Sequence, residues 1–160
     1  MKKIIMLDLD GTIKTDVDWK SDGKHESYIS KKTGKEYKYK IRPNVKEFVE
    51  GLKEMGSVSI LTLSSQPYAE YFVERMGIEG IIDEVYSRDR FDDIPMVSNY
   101  LLIENDFSIA KGKQCLLEKG LVFEKKTIII STYEGNEDDK ELIKLLERIK
   151  LEKQYEGYKK

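Results

Sequence analysis

Short apolar runs alternate along this chain with stretches whose apolar residues recur at helical spacing. The first run, residues 3–9, lacks helical periodicity and is typical of a strand buried on both faces. Similar runs predict further strands at residues 57–63, 81–86, 100–103 and 127–130. The stretches between them predict helices at residues 43–55, 66–76, 107–119 and 136–153. Strands that alternate with helices need crossover connections, so we expect an α/β fold with a central parallel sheet flanked by helices.

The composition of the chain fits one domain and excludes several classes of protein. Its 160 residues carry 28 Lys and Arg against 30 Asp and Glu, and the net charge of −2 excludes a uniformly basic nucleic-acid binder. One cysteine, Cys115, excludes an intramolecular disulfide and a multi-cysteine metal site. No apolar run approaches a membrane span, and the start lacks the long apolar stretch of a signal peptide. We expect one cytoplasmic domain over residues 1–160, with no membrane partner and a frayed polar tail at residues 154–160.

Residues 13–42 depart from the alternation of strands and helices. Apolar and polar residues alternate at 36–41, residues 27–30 are a possible partner strand, and residues 31–35 resemble a turn. We therefore predict a β-hairpin flap inserted after the first strand. Residues 14–42 contain nine Lys or Arg and five Asp or Glu, a local excess of four positive charges. Either this is a solvated charged hairpin, or it is a basic flap that guides a polyanionic substrate.

Two carboxylates follow the first strand directly, in the sequence Asp8-Leu9-Asp10-Gly11-Thr12. An Asp-Gly pair suits a turn without any further function. Two carboxylates at the end of a buried strand, however, repel each other unless a cation neutralises them. A hard oxygen-liganded ion such as Mg²⁺ does this and takes a substrate phosphate oxygen as a further ligand. One carboxylate can then act as a nucleophile and the other as a general acid and base.

This Asp-x-Asp-Gly-Thr sequence after an apolar strand resembles motif I of the haloacid dehalogenase (HAD) superfamily of phosphotransferases. The resemblance implies a Rossmann-like sheet without a large cap domain. It implies that Asp8 is the nucleophile and a Mg²⁺ ligand, and that Asp10 is the acid that protonates the leaving oxygen while its backbone carbonyl binds Mg²⁺. Thr12 would orient Asp10, and Thr12, Leu9 and Gly11 would contact the substrate.

The second motif of that superfamily is a Ser or Thr at the end of the second strand. Thr62 is the best match, and its hydroxyl would bind an oxygen of the transferring phosphoryl group. The adjacent Leu63 and Ser64 are expected to help bind the substrate. Ser64 and Ser65 also suit the cap of the following helix, which needs no catalytic function.

A narrower likeness covers most of the chain. Residues 42–48 resemble the "RPGxxEFL" stretch of the small phosphatase domain that acts on the RNA polymerase II C-terminal repeat, the NIF-type branch. Residues 62–69 resemble its "TASxxxYA", and residues 136–142 resemble its "GDEDDxEL". The implied substrate is a phosphoserine or phosphothreonine on an accessible peptide.

The third motif of the superfamily, a Lys that neutralises the phosphoaspartate, is missing between Met76 and Ala110. Arg90 is expected to take the catalytic role of this Lys and Arg88 to bind substrate, although Arg and Lys are not interchangeable. Lys111 and Lys113, in the helix after the third core strand, are further candidates.

The fourth motif is usually a pair of Asp residues after the third core strand, and here the chain reads Glu104-Asn105-Asp106. We expect Asn105 and Asp106 to bind the metal, with Glu104 as the alternative ligand.

The resemblance implies a Mg²⁺-dependent phosphatase that hydrolyses a phosphate monoester through an aspartyl-phosphate. Its partner would be a phosphorylated substrate, either a phosphopeptide or a small phosphate ester. A nucleotide or polynucleotide end phosphatase is an alternative, because the flap is basic. A non-catalytic phosphate or phosphopeptide binding module is another alternative, because the third-motif Lys is absent and Asn105 replaces an Asp. The oligomeric state is left open.

Overall fold

A computed structural model describes residues 3–17 and 25–158 of the chain. Five parallel strands form a central sheet in the order β6-β5-β1-β7-β8, with bounds β1 Ile4–Leu7, β5 Ser57–Leu61, β6 Glu84–Tyr86, β7 Asn99–Glu104 and β8 Glu124–Ile129. Helices α1 Val45–Lys53, α2 Gln66–Arg75, α3 Phe107–Leu117 and α4 Glu141–Tyr158 flank it, and a 3₁₀ helix spans Arg88–Asp93. The predicted α/β class with a flanked parallel sheet is confirmed.

Alternate residues of the central strands face the two sides of the sheet, as the two-residue period of a strand requires. Ile5 and Leu7 of β1 join a core that contains the apolar faces of α1, α2 and α4. Met6 faces the opposite side, in a smaller core with Ala110 and Leu117 of α3. The sheet is therefore covered on both faces, which explains why β1 is a continuous apolar run.

The flap is a second, antiparallel sheet with the strand order β2-β4-β3, made of β2 Lys14–Asp16, β3 Glu26–Ile29 and β4 Glu36–Ile41. The predicted hairpin is present as β3 and β4, with Tyr28 opposite Tyr37. The short strand β2 widens it, because Lys14 and its neighbours pair with the end of β4. Residues 18–24 of the predicted flap lie outside the described residues, as do residues 159–160 of the predicted frayed tail.

Helix α4 begins at Glu141, later than the sequence pattern predicts. The Asp139 carboxylate accepts a hydrogen bond from the Glu141 amide at 3.1 Å, so Asp139 caps the helix. The helix continues to Tyr158, past its predicted end near Lys153. In the described part of the chain, no helix is both long enough and apolar enough to cross a membrane.

Candidate active site

Asp8 lies at the carboxyl end of β1, the central strand of the sheet, with only 5% of its surface exposed. Its backbone amide donates to the Ile103 carbonyl of β7 at 3.0 Å, so the parallel pairing of β1 and β7 continues to this residue. Thr12 donates its hydroxyl to Asp8 Oδ2 at 2.8 Å. Thr12 was expected to orient Asp10, but the tight turn after Leu9 folds its side chain back onto Asp8 instead.

Lys113 of α3 supplies the positive charge at Asp8. Its Nζ donates to Asp8 Oδ1 at 2.7 Å and to Glu104 Oε2 at 2.6 Å, and its side chain is fully buried. Glu104, the last residue of β7, is also fully buried, and its Oε1 accepts the backbone amides of Asn105 and Asp106 at 3.1 and 3.3 Å. Burial, and then the charge of Asp8, raise the pKa of Glu104 to about 7. Two carboxylates thus share one ammonium, and the site can accept further positive charge.

The two arginines expected near the phosphate lie elsewhere. Arg90, predicted to be the catalytic cation, donates to Glu84 and Asp93, each at 3.1 Å, and to the Val85 carbonyl at 3.0 Å. These three acceptors hold the guanidinium on the 3₁₀ helix, and the structure does not bring it to Asp8. Arg88 is exposed, and its backbone amide donates to the Ser64 carbonyl at 3.1 Å. Lys111 lies over the Phe107 ring on the exposed side of α3.

Asp10 is the exposed carboxylate of the pair, with a side chain 46% accessible. Its Oδ1 accepts from Lys14 Nζ at 2.5 Å and from the Tyr68 hydroxyl of α2 at 2.9 Å. Burial, and then the Asp10 charge, raise the pKa of Tyr68 far above its usual value, which keeps this hydroxyl a neutral donor. The two aspartates of the first motif therefore differ in their surroundings: Asp8 is buried beside Lys113, and Asp10 faces solvent.

Thr62 directly follows β5, the neighbour of β1 in the sheet, so it lies at the same edge as Asp8. Its side chain is buried, and its hydroxyl forms a 2.8 Å hydrogen bond with that of Ser64. The Ser64 amide also donates to Thr62 Oγ1, at 3.2 Å. Leu63 is 47% exposed beside them.

Gly11 has a φ of 82°, in the region that favours glycine. A Cβ at this position would overlap the side-chain amide of Asn105. The glycine therefore lets the loop between Asp8 and Thr12 approach the loop after β7.

The side-chain amide of Asn105 faces a group of acceptor oxygens. The NH₂ group of the Asn105 amide points into the site. It donates to the Asp10 carbonyl oxygen and to Asp8 Oδ2, each at 3.0 Å, and to Glu104 Oε1 at 2.9 Å. The amide oxygen accepts from the Thr132 hydroxyl at 3.1 Å. A half-turn of the amide places its oxygen beside the Asp10 carbonyl and Asp8 Oδ2.

This set of oxygens fits Mg²⁺ in type, because carboxylate and carbonyl oxygens are the ligands that hard cations take. The Asp10 carbonyl and the Asp8 carboxylate converge on the Asn105 amide, each within hydrogen-bond distance of it. Among residues 3–17 and 25–158, no group of three or more His, Cys, Asp or Glu side chains forms a metal site, so the donors here are mixed. Asp106, predicted as a ligand, instead caps α3 by accepting the Ile109 amide at 3.0 Å.

Sequence reasoning selected Asp8, Asp10, Thr12 and Asn105, which the structure brings together, and left Lys113 as one of several candidates. A signal for Lys113 was present, because it shares a buried stripe of α3 with Ala110 and Leu117. None of the four motifs contains Lys14, so the sequence did not indicate it.

Comparisons with known proteins concern the family and the fold of this chain. The family model of NLI interacting factor-like phosphatases matches residues 3–104. No curated protein matches the chain. A structure of the fission yeast RNA polymerase II CTD phosphatase Fcp1 bound to beryllium fluoride is similar, with a TM-score of 0.57 and 17% identity over 81% of this chain and 41% of that one. A structure of Fcp1, described as an essential RNA polymerase II CTD phosphatase, has a TM-score of 0.56 and 19% identity over 89% of this chain and 48% of that one.

The structural likeness supports the fold, and the family match supports the activity class. This chain spans less than half the length of either Fcp1 structure. The family match covers well over half of this chain and includes β1, β5 and β7, which carry the site. The predicted membership of the NIF-type branch is confirmed, and the chain belongs to the NLI interacting factor-like phosphatase family.

Proposed function

We propose that this protein is a Mg²⁺-dependent phosphatase that hydrolyses phosphate monoesters through an aspartyl-phosphate on Asp8. The observation that carries the proposal is the pair of contacts at Asp8. Lys113 holds Oδ1 at 2.7 Å and Thr12 holds Oδ2 at 2.8 Å, at the edge of the sheet where parallel folds bind their ligands. Both donors fix the carboxylate in one orientation, as an in-line attack on phosphorus requires.

Two carboxylates then divide the chemistry between them. Asp8 forms a bond to phosphorus while the bond to the leaving oxygen breaks, and the Asp10 carboxyl gives its proton to that oxygen. Asp10, now a carboxylate, takes a proton from the water that attacks phosphorus, which releases inorganic phosphate and restores Asp8. The exposure of Asp10 and the burial of Asp8 suit these roles, because only Asp10 must reach both the leaving group and water.

Positive charge and hydroxyl groups stabilise the transferring phosphoryl group. Lys113 lies against Asp8, and Thr62 lies at the carboxyl end of the next strand. Asp8, the Asp10 carbonyl and Asn105 would hold Mg²⁺, which when bound supplies the charge that two buried carboxylates and one ammonium leave unbalanced. If Asn105 binds Mg²⁺ through its amide oxygen, its NH₂ group no longer donates to these acceptor oxygens.

The test is hydrolysis of 4-nitrophenyl phosphate by the pure protein, with Mg²⁺ and with EDTA. We expect turnover only with Mg²⁺ and no turnover by Asp8→Asn. Asp92→Asn is the matched control, because Asp92 is an exposed carboxylate of the 3₁₀ helix and should leave the rate unchanged. Binding of a phosphopeptide without turnover of any ester would contradict the proposal and indicate a non-catalytic binding module instead.

A phosphopeptide is the substrate that we propose. A groove of about 1160 Å³ runs between the tip of the flap and the segments that follow β5 and β6. Tyr28 and Lys31 of the flap line one side, and Gln66 and Arg88 line the other. Its volume exceeds the roughly 300–1,000 Å³ of pockets for small molecules. Asp8 and Asp10 are not among its lining residues, but Tyr28 in the lining packs edge-on against Tyr68, which donates to Asp10, so an extended chain in the groove would pass beside the site. The two Fcp1 structures share this fold, and Fcp1 is an RNA polymerase II CTD phosphatase, which supports the same choice.

The positive charge of the flap favours one second candidate, the terminal phosphate of a nucleotide or polynucleotide. The two substrates are separated by comparing kcat/KM for a phosphoserine peptide and for a 5′-phosphorylated oligonucleotide across a range of salt. We expect the peptide to be preferred, with a shallow salt dependence. A preference for the oligonucleotide that falls steeply with salt would reverse the assignment.

A further inference from the structure

Lys14, the first residue of β2, is fully buried although it belongs to the charged flap. Its Nζ donates to Asp10 Oδ1 at 2.5 Å and to Asp16 Oδ1 at 3.0 Å. The ammonium also lies 4.3 Å from the centre of the Phe72 ring and 4.9 Å from that of Tyr68. A lysine in this position has lost its solvation by water and is held instead by two carboxylates and two aromatic rings.

Tyr68 completes a closed triangle of hydrogen bonds with Lys14 and Asp10. The Tyr68 hydroxyl accepts from Lys14 Nζ and donates to Asp10 Oδ1 at 2.9 Å. The Tyr68 ring packs edge-on against Phe72 and Tyr28, with centroids 4.8 and 5.6 Å away. The triangle therefore joins the loop after β1, the first strand of the flap and helix α2.

We propose that Lys14 and Tyr68 are positioning residues for Asp10, two donors that fix Oδ1 and leave Oδ2 to exchange the proton. Both donors reach the same oxygen, and no hydrogen bond to Oδ2 is found within residues 3–17 and 25–158. Without them Asp10 would be a largely exposed side chain, free to rotate. This inference rests on the proposed function, in which Asp10 protonates the leaving oxygen.

The role of Asp10 gives this inference a specific signature. A poor leaving group such as phenoxide needs its proton as the bond to phosphorus breaks, whereas 2,4-dinitrophenoxide leaves without one. A loss confined to acid catalysis therefore slows phenyl phosphate and spares 2,4-dinitrophenyl phosphate. General acid catalysis is commonly worth about 10²–10⁴-fold, which bounds the effect.

The experiment measures kcat/KM for both esters with the full chain and Mg²⁺, because kcat/KM reports formation of the aspartyl-phosphate and not its hydrolysis, in which Asp10 acts as the base. For Lys14→Met we expect kcat/KM on phenyl phosphate to fall about 10- to 100-fold and kcat/KM on 2,4-dinitrophenyl phosphate to change less than about threefold. Tyr68→Phe, which keeps the ring, should give a smaller loss with the same dependence on the leaving group. Lys119→Met is the control, since Lys119 follows α3 and donates to the Phe91 and Ile94 backbone carbonyls, outside the triangle of Lys14, Asp10 and Tyr68.

Thermal unfolding identifies any variant that does not fold. If Lys14→Met does not fold, Tyr68→Phe alone tests the inference. Equal losses on both esters, or no loss in either variant, would overturn the inference while leaving the proposed function intact. A wild-type protein that hydrolyses neither ester would instead overturn the proposed function, and the inference with it.

Discussion

Replacing Lys113 tests the central claim about the site, that one buried ammonium stabilises two buried carboxylates. Lys113 is fully buried, and the Asp8 and Glu104 side chains are only 7% and 1% exposed. Removing one partner of such a buried pair costs about 3–5 kcal/mol, because the remaining charge loses its compensation. Lys113→Met keeps a similar volume and removes the charge, and it leaves two facing carboxylates. At pH 8 we expect the variant to lose about 3–5 kcal/mol of unfolding free energy.

The assay is urea unfolding followed by circular dichroism, in EDTA so that no metal supplies the missing charge. Glu104→Gln in the same background should recover most of the lost stability, because Asp8 is then the only charged group of the three. The double-mutant cycle of the two substitutions isolates their interaction. Lys125→Met provides the scale for an exposed ion pair, since Lys125 and Glu118 are 61% and 30% exposed, and should cost less than about 1 kcal/mol.

Two results would refute the reasoning. A loss below about 1 kcal/mol for Lys113→Met would show that water compensates the carboxylates and that the site is not the buried one described. A double variant no more stable than Lys113→Met would show that the loss came from packing and not from charge.

Three further predictions concern other residues of the structure. A Cβ at Gly11 would be strained by the positive φ and would overlap Asn105. Gly11→Ala should therefore lower Mg²⁺-dependent kcat at least about tenfold and lower the unfolding free energy by about 1 kcal/mol or more, as measured by activity and by urea titration. The buried Arg42 guanidinium binds Asp139 through Nε and Nη2 at 2.8 and 3.1 Å. Arg42→Lys replaces it with a single ammonium and should lower the unfolding free energy in urea by about 2–4 kcal/mol. A loss below about 1 kcal/mol would contradict this. In EDTA, the unfolding free energy of the wild type should fall relative to that of Glu104→Gln as the pH rises from 4.5 to about 7. In that range the folded protein keeps the Glu104 proton and the unfolded chain loses it. A difference in unfolding free energy that does not change with pH would contradict the raised pKa.

The sequence determined the layered architecture because the signals for it are local. The apolar run of β1 and the helical stripe of α1 each follow from a short window, and their alternation implies a parallel sheet. Asp8 and Asp10 directly follow β1 in sequence, so they were expected at its carboxyl end, the edge at which such sheets bind their ligands. Strand β2 was missed since three residues give no recognisable period, and it exists through its pairing with β4.

The surroundings of each carboxylate depend on contacts between residues distant in sequence, which a local pattern does not contain. Lys113 and Asp8 are 105 positions apart, and Tyr68 and Asp10 are 58 apart. The choice of Arg90 as the cation followed its position before the fourth motif. The Arg90 guanidinium is instead bound by Glu84 and Asp93, both within six residues of it in sequence.

The position of Lys113 follows from helix geometry once α3 is known to run back along the sheet from its carboxyl edge. Lys113 lies six residues after Phe107, which begins the helix, so its Cα is about 9 Å along the axis from that start. Helical side chains lean toward the amino terminus, and the long lysine side chain therefore reaches back toward Asp8. A lysine one turn later would fall short, and Lys111 lies on the exposed side of the helix. Phosphate chemistry requires a positive charge at one point in space. The buried face of the first two turns of the helix after the fourth motif can therefore supply the cation in a chain that lacks the usual third-motif Lys.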